Sequence, residues 1–158
     1  MPHTPDVGGQ RSAMKHLSFL TGRWKGEARM LRAPGEFVEM IQTEEAQYRL
    51  DGLLLVIEGI GRRQTDGATL LQALGIISWN DETGEYRMRA YNDGRWLETE
   101  VRLAQGGQGI SWGFSLGEFR TNSRLTINEQ GEWTEFTELT IGSQAPKKLL
   151  ELAVRPER

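Results

Sequence analysis

The chain has 158 residues, 37% hydrophobic and 26% charged, with a formal net charge of −3. That fits one folded domain and gives no basic surplus for a nucleic-acid partner. It contains no cysteine, which excludes disulfides, thiolate metal sites, iron–sulfur clusters and cysteine nucleophiles.

Residues 1–10 hold Pro, Gly and polar residues and read as a mobile tail, with residues 11–158 as a single domain. The opening Met-Pro-His-Thr-Pro-Asp lacks the apolar core of a signal peptide. The longest apolar run, 53–57, is far too short to span a membrane. A cytoplasmic protein with no membrane partner is the expectation. Ser12 can cap a short helix whose Ala13, Met14, Leu17 and Leu20 share one face, and Gly22 ends it. A helix that short needs a larger body to dock on.

From Gly22 the texture changes. Segments rich in Val, Ile, Thr and aromatic residues recur, divided by turn signals such as Ala33-Pro34-Gly35, Asp51-Gly52, Asp66-Gly67, Asp93-Gly94 and Gly106-Gly107. The spacing predicts ten strands at 22–32, 36–50, 52–64, 70–80, 84–92, 94–104, 108–116, 118–128, 132–142 and 147–155, and the Asp-Gly pairs suit tight hairpins. Ile110, Trp112, Phe114 and Leu116 alternate with Ser111, Gly113 and Ser115. Leu97, Thr99, Val101 and Leu103 alternate with Trp96, Glu98, Glu100 and Arg102. A half-buried sheet has this period of two. Near residues 134–138 the alternation breaks at Glu135 and Phe136, and the in–out register stays open there. Sequential hairpins of this number predict an all-β fold, an antiparallel up-and-down β-barrel with a short N-terminal capping helix. A Greek-key sandwich is the alternative.

Several short motifs carry a resemblance. Gly22-Arg23-Trp24-Lys25-Gly26 follows a helix ending Leu17-Ser18-Phe19-Leu20, and this resembles the opening of calycin-superfamily barrels such as lipocalins, fatty-acid-binding proteins and nitrobindins. The segment from Leu50-Asp51-Gly52 to Val56-Ile57-Glu58, and Gly75 to Asn80 with Gly84-Glu85-Tyr86, look like motifs of the bacterial DUF1579 family. On physical grounds Trp24, beside two glycines, lets the first strand bend while its indole plugs the barrel floor. The lipocalin resemblance implies a late Arg stacked on that Trp, and Arg155 is the candidate for this second closure residue. The nitrobindin resemblance raises haem, but only His3 and His16 occur, so the haem-ligand position has no matching histidine. No cofactor and no metal site are expected.

No nucleophile–base constellation is present, and no catalytic residue is assigned. The acids Glu98, Glu100, Glu135 and Glu138 read as lying on solvated faces. Glu58 stands out, because it follows Leu54 and Val56 on a strand face expected to be internal, where a carboxylate needs a partner. Arg87, Arg89, Arg120 and Arg124 are candidates to face it. By analogy with fatty-acid-binding proteins, Arg89 and Tyr91 would orient an anionic head group beside Trp79 and Trp112. The other reading puts these arginines outside, in cross-strand ion pairs.

The leading expectation is therefore a small-molecule-binding barrel for a hydrophobic or amphipathic ligand. Its apolar lining would come from Trp79, Trp112 and Phe114 with Met30, Met40, Ile77 and Leu125. Two alternatives stand beside it. One is an enzyme using Glu58 and an interior Arg as an acid–base pair. The other is a filled barrel that acts as an interaction module, with Trp96 and Phe136 at a homodimer contact.

Overall fold

The structure is a computed structural model and describes residues 2–157. Helix α1 (Val7–Met14) runs into a 3₁₀ turn, Lys15–Leu20. Ten strands follow: β1 (Gly22–Ala33), β2 (Glu36–Arg49), β3 (Leu54–Arg63), β4 (Thr69–Asn80), β5 (Glu85–Asn92), β6 (Arg95–Leu103), β7 (Gly109–Leu116), β8 (Phe119–Ile127), β9 (Trp133–Ile141) and β10 (Lys147–Pro156). Each strand pairs antiparallel with its chain neighbour, and β1 pairs with β10, so the sheet closes as an up-and-down barrel. Closure removes the free edges that an open sheet of this size would expose. The turn chemistry works as read. Asp93 and Gly94, at φ 52° and 74°, form the two-residue link between β5 and β6, the left-handed pair that matches the twist of a tight hairpin.

The helix starts earlier than the sequence suggests. Asp6, and not Ser12, is its N-cap, and the Asp6 carboxylate accepts from the Gly9 N–H at 2.9 Å. Gly8 and Gly9 are poor helix formers that hide this turn from propensity, and the anchor comes from elsewhere in the chain. Asp81, in the β4–β5 turn, accepts from the Asp6 N–H and from Gln10 Nε2, both at 2.8 Å, and its Oδ2 lies 2.9 Å from His3 Nε2. Residues 3–10, expected as a mobile tail, are thus tied to the barrel. These bonds, the Asp6 N–H foremost, then Gln10 and His3, hold the Asp81 carboxyl down at about 2.

The helix and 3₁₀ turn plug one end of the barrel. Met14, Leu17 and Leu20 are fully buried, each burial contributing about 2 kcal/mol. Three aromatic side chains of the wall donate to the plug's backbone: Tyr48 Oη to Met14 O and Tyr86 Oη to Ala13 O, both at 2.6 Å, and Trp24 Nε1 to Leu20 O at 3.0 Å.

Cross-strand register identifies the inward face. One row runs Leu55, Ile77, Met88, Thr99 through β3 to β6, and another runs Val101, Trp112, Ser123, Thr137 through β6 to β9. Along this face burial falls off with distance from the plug. Leu55, Ile77, Ile110, Leu125 and Val154 are essentially inaccessible near the helix, while Leu97, Leu116 and Phe119 at the opposite rim are 37%, 55% and 51% exposed. The helix-free end is therefore the open one.

The wall is also uneven. β6 and β7 share only three register pairs, Val101–Trp112, Arg102–Ser111 and Leu103–Ile110, whereas every other ladder has at least seven. Toward the open rim the two strands diverge, bridged by a 2.7 Å hydrogen bond from Thr99 Oγ1 to Gly113 O. Among the described residues no helix is long and apolar enough to cross a membrane.

Candidate functional site

The inward side of β2 carries Met40, Gln42, Glu44, Ala46 and Tyr48 at alternate positions. Two of these are unusual in a barrel interior. Glu44 is buried, and Gln42 is 1% exposed with its Oε1 lacking any hydrogen-bond partner. Gln42 Nε2 donates to Glu44 Oε1 at 3.4 Å. The two side chains lie over β3, where Gly59 and Gly61 leave room. A Cβ on Gly59 would stand 2.5 Å from Glu44 Oε2, and one on Gly61 would stand 2.8 Å from Gln42 Oε1.

A second acid comes from β9. Register places Glu135 inward, opposite Leu125 on β8 and Leu152 on β10. Trp133 Nε1 donates to its Oε1 at 3.1 Å. Between Glu135 and the β2 pair lie β10 and β1, and the inward residues of β1 here are Gly26 and Ala28. On β10 Leu152 and Val154 fill part of this interval, and the charge of Glu135 still acts on Glu44. Burial first, then the charge of Glu135, pushes the Glu44 carboxyl well above the usual carboxylate range. Burial pushes Glu135 up to about 7, against the pull of the Trp133 N–H. Among the described residues neither acid has an Arg, Lys or His within ion-pair distance. Chemically this is a polar patch in an otherwise apolar interior: two carboxyls that hold protons unusually well and an amide oxygen without a donor.

The structure separates the residues singled out from sequence. Trp79, Trp112 and Phe114 face inward, as do Met30, Met40, Ile77 and Leu125. Trp79 sits at the plugged end, edge to face with Tyr86 at 4.6 Å, while Trp112 and Phe114 line the half-buried upper wall. Glu58 is reversed. It is exposed on the outer face, paired across the sheet with Glu45 and Leu74, and the inward residues of β3 are Leu55, Ile57, Gly59 and Gly61. The arginines are also outside. Arg87 and Arg89 both lie beside Glu98 on the outer wall, with Tyr91 near Trp96. Arg124 is exposed and lies over the Phe136 ring at 5.9 Å, and Arg120 is exposed on the same outer side. The inside Glu–Arg pair is thus corrected, and with it the interior anionic subsite of Arg89 and Tyr91.

Trp24 is at the floor as expected, but its stacking partner is Trp133, at 5.4 Å. Arg155 points outward instead, 2.8 Å from Glu132 and 3.5 Å from Glu27, because register sets it beside Lys25 on the outer face. Glu135, read from sequence as solvated, is inside. Glu44 and Gln42 were not singled out, although their alternation with Met40, Ala46 and Tyr48 was there to be found. Trp96 and Phe136 do not form one patch, since β7 and β8 separate their strands.

A pocket of about 510 Å³ lies over the β6–β7 divergence, with Thr99, Trp112 and Gly113 at its base and outward Arg102, Arg124 and Glu138 around it. Another, of about 460 Å³, lies on the outer wall between the helix and Arg87 and Arg89.

No protein-family model and no curated protein sequence matches the chain. Among solved structures, the barrel is similar to the crystal structure of Rv2717c from M. tuberculosis. The TM-score is 0.69, over 92% of this chain and 98% of that one, at 14% identity. At that identity the likeness is one of fold. It shows a shared barrel fold, while the resemblances to calycins and to DUF1579 rest on the short motifs alone.

Proposed function

We propose that this protein binds a small hydrophobic or amphipathic molecule in the upper part of its barrel. The observation that carries this reading is the gradient along the inward face. Apolar side chains that point into the barrel are packed solid at the plugged end and accessible to solvent at the other. A filled core would bury Leu97, Leu116 and Phe119 with the rest, and exposed apolar surface gathered at a concave rim favours ligand entry. The divergence of β6 from β7 adds a lateral way in beside the rim. Trp112 and Phe114 stand just inside it and supply rigid, flat contact area.

Titration with the neutral dye Nile red tests this. A saturable fluorescence rise at one dye per chain, abolished by Phe114→Asp in a variant with an unchanged melting profile, is the expected result. Dye binding that never saturates, or that ignores the Phe114 substitution, would overturn it.

A further inference from the structure

The upper lumen is apolar, but its deep end is acidic and short of donors, and that combination specifies the polar end of a ligand. Glu44 and Glu135 face the interior from β2 and β9, near enough for the charge of Glu135 to act on Glu44, with the small Gly26 and Ala28 on β1 between their strands. Gln42, in contact with Glu44, turns a buried and unpartnered carbonyl oxygen into the protein interior. An orphaned acceptor at that depth costs about 1–3 kcal/mol unless something donates to it. The buried Glu44 and the half-buried Glu135 have no cation beside them, an arrangement that favours a positively charged partner. One positively charged donor group here would satisfy the orphaned Gln42 oxygen and give both carboxyls a cation.

We propose that the lumen takes an amphipathic amine, with a protonated primary ammonium held by the Glu44 and Glu135 carboxylates and Gln42 Oε1 and its apolar chain lying along Trp112 and Phe114 toward the rim. An ammonium has three N–H donors, one for each acceptor. A metal ion fits less well, because among the described residues no three His, Asp or Glu side chains gather as a ligand set. An anionic head group is disfavoured by the same acids and by the outward direction of Arg87, Arg89, Arg120 and Arg124. This inference rests on the ligand-binding reading above and adds the head group to it.

The test is competition against Nile red at pH 8 with three ligands of one chain length: octylamine, 1-octanol and octanoate. Octylamine should displace the dye at about tenfold lower concentration than octanol, as expected for a charge-assisted contact, and octanoate should be the weakest. Glu135→Gln and Glu44→Gln should each erase most of the amine's advantage over octanol. Equal displacement by amine and alcohol, or an amine advantage that survives both substitutions, would overturn the head-group assignment while leaving the binding reading intact. If none of the three displaces dye from the wild-type lumen, both fall together. Gln matches Glu in shape, and thermal melts of both variants check that the barrel is folded.

Discussion

Trp24 and Trp133 meet edge to face at the floor of the barrel, their ring centroids 5.4 Å apart and their planes at 68°. One ring comes from the first strand and the other from the ninth, so the contact reaches across the β1–β10 closure. Trp24 also donates to the 3₁₀ turn beneath it, joining plug, floor and closure in one side chain. Trp24→Ala should lower stability by about 3–5 kcal/mol in urea unfolding. Trp24→Phe should cost less, since it keeps a ring and loses the indole hydrogen bond. A Trp24→Ala variant within about 1 kcal/mol of wild type would mean the floor repacks without it.

The acid pair gives the protein a pH dependence of stability with an unusual sign. The Glu135 carboxyl is raised from 4.5 to about 7. Below pH 4.5 it is protonated whether the chain is folded or not, and it carries no penalty. Between 4.5 and 7 the unfolded chain ionises while the buried group resists, so stability is lost as pH rises and stays lost above 7. At about 1.4 kcal/mol per pH unit the loss is on the order of a few kcal/mol, and Glu44 acts in the same direction. Glu135→Gln should therefore be more stable than wild type at pH 8 and nearly equal to it at pH 4. Denaturant midpoints at the two pH values check this, and a variant less stable at both would refute it.

Asp81 behaves in the opposite sense. Its folded carboxyl is depressed from 3.8 to about 2, so its anchoring of the N-terminal segment is fully present above 3.8 and is lost as pH falls through 2. At neutral pH, Asp81→Ala should release residues 3–14 locally, visible as faster amide exchange there, with the exchange of β7 to β9 unchanged. Exchange confined to its wild-type rate would show that Met14, Leu17 and Leu20 hold the segment unaided.

Outward placement of the charged residues is itself checkable. Glu58→Gln and Arg89→Gln should leave Nile red affinity within about twofold of wild type, the usual reach of a surface change. A tenfold loss from either would put that side chain back at the ligand.

The strand pattern was legible because turn chemistry and alternation agree: each strand begins and ends within two residues of where Asp-Gly, Gly-Gly and Pro signals place it. On β6 and β7 polar residues mark the outside, and the faces could be assigned directly. On β3 they could not. Leu53 to Ile57 is apolar at every position, so parity carries no information, and the first acid after the run was placed on the wrong side. On β9 the inside is marked by an acid and part of the outside by Phe136, an inversion of the usual code that only cross-strand register resolves. The Arg155 misplacement came from a different source, a family's geometry carried to a position whose parity points away from Trp24. The helix start was hidden because its cap and its anchor lie far apart in sequence, at Asp6 and Asp81.

The short β6–β7 ladder leaves two strand edges facing each other inside a sheet that is otherwise continuous. Backbone groups along such edges invite any extended chain to add itself as a strand, which is how soluble β-proteins begin to aggregate. Beside the exposed Trp96, the outward residues on the β6 side include Glu98 and Glu100, two like charges that an incoming strand would have to cover. These acids guard the gap against intrusion by another polypeptide, and a variant neutral at both positions should stay folded yet lose colloidal stability.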